Sequence, residues 1–175
     1  MRVGGYAYRA RQFWNAYRAA PSQQDMDEVR GILTPGEMML FVGMQHGEQA
    51  HSIAVMRRLH SQDEAEQDLL VAALLHDVGK SLYPLRVWER VLIVLVGALS
   101  PRLLARWGCG EPRGWRRPFV VALGHPAWGA DMAARQGAAP LAVELIRQHQ
   151  NYLLIQPVYS TDALLKKLQA ADGNS

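Results

Sequence analysis

Seven apolar residues in succession, Leu69 to Leu75, run straight into His76 and Asp77. A helix that is apolar around its whole circumference is buried on every side, so the pattern predicts a core helix whose inner end carries an imidazole and a carboxylate. Gly79 is expected to stop that helix as a C-terminal cap would. Neither polar side chain can stay unpaired in a core without a large penalty. A metal ion is the simplest partner that satisfies both.

The remaining segments also read as helices. Tyr6 to Ala20 interleaves Arg9, Arg11 and Arg18 with Tyr6, Phe13, Trp14 and Tyr17 and ends at Pro21. It is expected to dock by its aromatic side, a membrane-surface or partner-binding arm being the alternative. Ser22 with Asp25 starts a short helix through Leu33, and Thr34, Pro35 and Glu37 start another that carries Met38 to Val42. From about Glu48 to Leu59, the residues Ala50, His51, Ala54, Val55 and Leu59 fall on one face, which turns His51 inward and His60 toward water. His46 is placed in the connection before that helix, and Ser61 to Asp68 form the polar connection after it. Leu85 to Leu99 and Ser100 to Trp107 form a pair of apolar helices, followed by a loop from Gly108 to Trp115.

Pro118 to Leu123 is an apolar run that ends at Gly124, His125 and Pro126; a separate helix from Ala127 to Gln136 is expected after it, closed by Gly137. Pro140 to about Asn151 puts Leu141, Ala142, Leu145, Ile146 and His149 on one face, and Glu144 and Gln148 on another. Beyond Pro157, Thr161 or Asp162 caps a last helix with the stripe Leu164, Leu165, Leu168, Ala171 and Asp172. The predicted class is all-α.

Composition agrees with that class and narrows the roles. With 49% hydrophobic and 20% charged residues in 175, the chain suits one folded domain with a real core. A net charge of +3 is only mildly basic, so nucleic-acid binding is not the expected role. Cys109 is the only cysteine, which leaves no disulfide framework and no thiolate metal site. The longest uninterrupted apolar run, Val91 to Leu99, falls short of the about 20 residues a membrane span needs. Met1 is not followed by an apolar signal-peptide core, and a cytoplasmic location is expected.

The inward faces of the helices then gather the chemistry. His51, His76, His149 and Asp172 each lie on the core-facing stripe of a different helix; Asp77 adjoins His76, and His125 ends an apolar run. Satisfying these groups one by one needs a separate buried hydrogen-bond solution for each, whereas shared metal ions need one site. Imidazole and carboxylate without thiolate suit Zn, Mn, Fe or Ni, and the carboxylate share allows Mg.

In order and spacing, His51 in AHSIAV, His76 and Asp77 in LLHDVGK and Asp172 in LLKKLQAADG resemble the H…HD…D signature of the HD superfamily of metal-dependent phosphohydrolases. The resemblance implies an HD-domain-like helical bundle over residues 45–175, with residues 1–44 as an N-terminal helical extension packed on it. It implies that His51, His76, Asp77 and Asp172 ligate one divalent ion. His125 in HPAWGA and His149 in IRQHQN match the positions that bind a second ion in two-metal members, with Asp77 bridging. Many two-metal members carry a double histidine where this chain has His149 between Gln148 and Gln150.

The implied activity is hydrolysis of a small phosphorylated, nucleotide-like substrate by a metal-activated water, with Asp77 and Lys80 as the catalytic residues. Lys80, just past the helix end, is the cation placed to meet a phosphate; a C-terminal dipole partner for its own helix is an equal reading. The alternative function is a non-catalytic sensory or interaction module on the same fold. The apolar helix around Val91 to Leu99 would then serve a homodimer interface.

Overall fold

A computed structural model describes residues 20–61, 66–150 and 161–173 of the chain. The helix expected from Tyr6 lies outside them apart from Ala20, as do the connection at 62–65 and the segment around Pro157. The described elements are α1 (Gln23–Arg30), α2 (Pro35–Val42), α3 (His46–Ser61), α4 (Gln67–Leu75), a 3-10 turn over Val78–Leu82, α5 (Val87–Leu99), α6 (Pro101–Trp107), a second 3-10 turn over Gly114–Arg116, α7 (Arg117–Arg135), α8 (Pro140–Gln148) and α9 (Thr161–Gly173). No strand occurs among the described residues, and the fold is all-α.

Helix α4 is the axis of the bundle. Each of its residues from Leu69 to Leu75 is at most 4% exposed, and α2, α3, α8 and α9 all pack against it. Burying one such leucine contributes about 1.5–3 kcal/mol, so this single run supplies a large share of the driving force for collapse. The same core takes in Val29 and Leu33 from the α1 end, Phe41 and Met44 from α2 and its exit, Leu145 and Ile146 from α8, and Leu168 and Ala171 from α9. Capping signals in the sequence are realised at both early helices. Ser22 and Asp25 form a reciprocal box at α1, as do Thr34 and Glu37 at α2, satisfying backbone N–H groups that the first turn leaves open.

The structure departs from the sequence reading at three places that matter for the site. First, no break occurs at His125: α7 runs without interruption through Pro126. Proline there removes one helical hydrogen bond at a cost of about 3 kcal/mol. The stripe Val121, His125, Gly129 and Ala133 is buried on both sides of it, and that packing holds the helix together. Second, Gly79 does not cap α4. Helix α4 ends at Leu75, and Gly79 sits buried inside the following 3-10 turn without a positive φ. Third, α3 starts at His46 rather than after it. Beyond His51 the buried set is Ser52, Ile53, Val55, Met56 and Leu59, with Ala54 exposed and His51 at the edge of the buried face. His60 faces solvent as expected.

Two ion pairs on buried carboxylates fasten α5 to the bundle. Arg90 Nη2 donates to Glu48 Oε1 at 2.7 Å and to Gln45 Oε1 at 2.6 Å. Arg117 donates to Glu89 Oε1 at 2.5 Å and to the Pro84 carbonyl at 2.8 Å. Glu48 and Glu89 are almost wholly buried, so each needs its arginine.

Candidate metal centre

The site is built at helix ends and on one helix flank. His76 follows the last residue of α4 and His149 the last residue of α8; His125 lies mid-way along α7. In each case the ring folds back on its own chain. His76 Nδ1 lies 2.9 Å from the Ala73 carbonyl, His125 Nδ1 3.0 Å from that of Val121, and His149 Nδ1 2.8 Å from that of Ile146. A carbonyl only accepts, so each Nδ1 carries the hydrogen and, in the neutral ring, each Nε2 carries the lone pair. All three Nε2 atoms converge on one buried region, their rings 5.0–5.2 Å apart by centroid for His76–His149 and His125–His149.

Asp77 stands at the centre. Its Oδ1 lies 3.2 Å from His125 Nε2 and 3.8 Å from His149 Nε2, while its Oδ2 lies 3.7 Å from His76 Nε2 and 2.6 Å from Lys80 Nζ. Asp172, on the last turn of α9, places Oδ1 2.8 Å from His51 Nε2 and 3.6 Å from His76 Nε2. Arg58 donates to the neighbouring Ala171 carbonyl and ties that turn to α3. The donors fall into two clusters, His51 with His76 and Asp172, and Asp77 with His125 and His149; within each the donor atoms lie within 4.8 Å of one another. The structure thus brings together all six residues picked out from the sequence, with Lys80 on the central carboxylate.

This donor set fits a cation. His76 Nε2 is buried with no hydrogen-bond partner, and His125 Nε2 faces His149 Nε2 at 3.3 Å. With both Nδ1 hydrogens committed to backbone carbonyls, no proton lies between those two nitrogens, and two lone pairs confront each other. Metal-binding histidines hold their second nitrogen in this way. Burial pushes His149 down from 6.5 to about 3. Burial, and then the Lys80 ammonium, also lower His125 against the pull of Asp77. Burial opposes charge on Asp77, but the Lys80 ammonium at 2.6 Å, foremost among its neighbours, outweighs it and holds the carboxyl well below its usual range. Asp172 is lowered in the same sense, the His51 hydrogen bond and His76 overcoming its burial.

The pH consequence has a definite sign. In the unfolded chain His149 takes a proton near pH 6.5, whereas in the folded chain it resists until about pH 3. The unfolded state therefore binds more protons in that window, and stability falls as pH falls through it. His125 acts in the same direction, and the depressed Asp77 and Asp172 add to the loss at lower pH still. Thermal unfolding of metal-free protein should show a midpoint that drops steadily from about pH 6.5 toward pH 3. A flat midpoint across that window contradicts the neutral-imidazole assignment.

A cavity of about 180 Å³ adjoins the centre, lined by Lys80, Leu85, Arg90, Ile93, Val94, Ala122, His125 and Gln150. Arg90 and Gln150 were not singled out from the sequence. The available signal was Glu89–Arg90, two charged residues inside an otherwise apolar helix; their partners lie 28 and 42 positions away, beyond any local pattern. Trp128 packs on Tyr83, their ring centroids 5.3 Å apart and their planes tilted by 55°.

The sequence model of the HD domain matches residues 49–173. The chain belongs to the HD domain family. That match spans every member of the two clusters, from His51 to Asp172. HD domains are typical of metal-dependent phosphohydrolases, and the clusters described here are of the kind that holds divalent metal. Comparison with curated proteins and with solved structures gave no match.

Proposed function

We propose that this HD domain is a metal-dependent phosphohydrolase whose ions are held by His51, His76, Asp77 and Asp172 on one side and by Asp77, His125 and His149 on the other. The observation that carries the reading is the convergence of three buried, backbone-oriented Nε2 atoms on a carboxylate whose two oxygens face different clusters. Such ions supply Lewis-acid charge for the phosphoryl oxygens and an activated water at neutral pH.

The chain's own residues would do the rest. Lys80 and Arg90 both line the cavity and present the fixed positive charge that orients a phosphoryl group. Arg90 is itself braced by Glu48 and Gln45, so it offers direction as well as charge. Leu85, Ile93, Val94 and Ala122 form the apolar wall that limits water around the bound ester and strengthens those interactions. A volume of about 180 Å³ is below the about 300–1,000 Å³ of pockets that enclose whole drug-sized ligands. The ester is therefore held by its phosphate end, and a nucleotide-like substrate would leave its base outside the cavity.

Metal analysis of purified protein, followed by a hydrolysis screen against nucleotides and simple aryl phosphates with Mn, Fe, Ni, Zn and Mg, tests the proposal. The expected result is roughly one or two ions per chain and turnover that a chelator removes and metal restores. A folded chain that takes up none of these metals overturns the site. A folded, metal-loaded chain that hydrolyses nothing overturns the enzyme and leaves the interaction module.

A further inference from the structure

Helix α5 packs mainly on α6 and α7 and turns the rest of its surface outward. Val87, Trp88, Val91, Val94, Leu95 and Leu99 are all exposed, from 37% at Val87 to 84% at Leu99. At 3.6 residues per turn they cover a continuous arc of about 140°, with buried Glu89 and half-buried Ile93 and Val96 on the other side. Leu103 on the adjoining α6 is 39% exposed, and Trp115 64%. An apolar surface of this extent marks a contact with something else.

Charge decides among the occupants. Residues 86–117 hold seven arginines and two glutamates, a surplus of five against three for the whole chain. Glu89 is buried on Arg117, and exposed Glu111 pairs with Arg113, so the outward charge around the apolar arc is positive, with Arg86, Arg102 and Arg106 exposed. A second copy of this face would set positive against positive. Residues 1–19 bring four more arginines and no acid, so their charge does not complement it either. An anionic bilayer does: apolar side chains enter the acyl boundary, tryptophans sit at headgroup level and arginines meet lipid phosphates. No helix among the described residues is long and apolar enough to cross a membrane, so the contact is one of lying on the surface.

We propose that the exposed face of α5, with the arginines around it, is a docking surface for an anionic lipid bilayer. Val94 belongs both to that face and to the wall of the cavity that holds Lys80 and His125. Docking therefore brings the mouth of the cavity to the lipid headgroups. The inference stands independently of the metal reading, because vesicle binding is read with or without turnover.

Co-sedimentation of the full chain with vesicles of phosphatidylcholine alone, and of phosphatidylcholine and phosphatidylglycerol in roughly equal parts, tests it. The protein is expected to sediment with the mixed vesicles, to stay in solution with the neutral ones, and to be released by salt. Leu95→Asp with Leu99→Asp, and separately Arg102→Gln with Arg106→Gln, should each weaken binding about tenfold or more, with unchanged circular dichroism. Four outcomes overturn the proposal. The chain ignores the mixed vesicles; both double variants bind as the unaltered chain does; binding is lost on deleting residues 1–19 but not on altering α5; or lipid-free protein is a dimer that Leu95→Asp with Leu99→Asp splits, which assigns the face to a second copy.

Discussion

Asp77→Asn is expected to give a folded protein that neither holds metal nor hydrolyses phosphate esters. The carboxylate faces both donor clusters, Oδ1 toward His125 and His149 and Oδ2 toward His76 and Lys80. An amide has the same shape but half the acceptor capacity and no charge. Its NH₂ can donate to the His125 lone pair while its oxygen keeps Lys80, so the metal-free variant satisfies internally what the unaltered protein leaves open. Under the proposed role, the unaltered chain gains about 2.7–4.1 kcal/mol from metal at 100–1,000 times its dissociation constant. For a domain of this size that is a rise of roughly 5–15 °C in unfolding midpoint, and the variant should show none. Hydrolysis should fall by about 10³-fold or more. A variant that still gains stability from metal as the unaltered chain does removes Asp77 from the site.

Gly79→Ala should be the most destabilising single-methyl change in the described bundle. A Cβ at position 79 would lie 2.0 Å from the His125 carbonyl oxygen, 2.9 Å from its carbon and 2.8 Å from the Gly129 nitrogen. All three are backbone atoms of α7, so no flexible side chain can swing aside. Overpacking of this severity costs about 3–5 kcal/mol, from a total that for most domains is about 5–15 kcal/mol. Urea unfolding should show the loss, with Gly97→Ala as the control, since its Cβ would meet only Leu104 Cδ2 at an ordinary 3.5 Å. A Gly79→Ala midpoint equal to that of the control contradicts the packing described. The same close approach sets the chemistry: it lets the turn bearing Asp77 and Lys80 sit directly on α7, where His125 reaches Asp77 Oδ1.

Much of this was legible in the sequence because it depends on local periodicity. The all-round apolar run at Leu69–Leu75 fixed the buried axis, and the inward faces of the helices picked out His76, His149 and Asp172 from their stripes alone. His51 shows how far that method reaches. The stripe that turns it inward runs through Ala54, which is exposed, and the ring sits at the edge of the buried face, 28% exposed by its side chain. What was illegible depends on distant partners. The helix break expected at Pro126 does not occur, because packing on both sides of α7 outweighs one missing hydrogen bond. Gly79 looks like a helix cap in the sequence because the backbone that crowds it is more than 40 positions away. The buried pairs Glu48–Arg90 and Glu89–Arg117 leave no local trace beyond charge in an apolar helix.

The hydrogen bond between His51 and Asp172 closes over 121 positions. Closing so long a loop is slow relative to forming local helices, and synthesis delivers α3 long before α9. During that interval the cluster of His51 and His76 has two imidazoles and no carboxylate of its own, while the cluster around Asp77 needs only α4, its turn, α7 and α8. The half closed by α9 therefore cannot be complete until the chain through Asp172 has been made and folded, whereas the cluster around Asp77 needs nothing beyond His149.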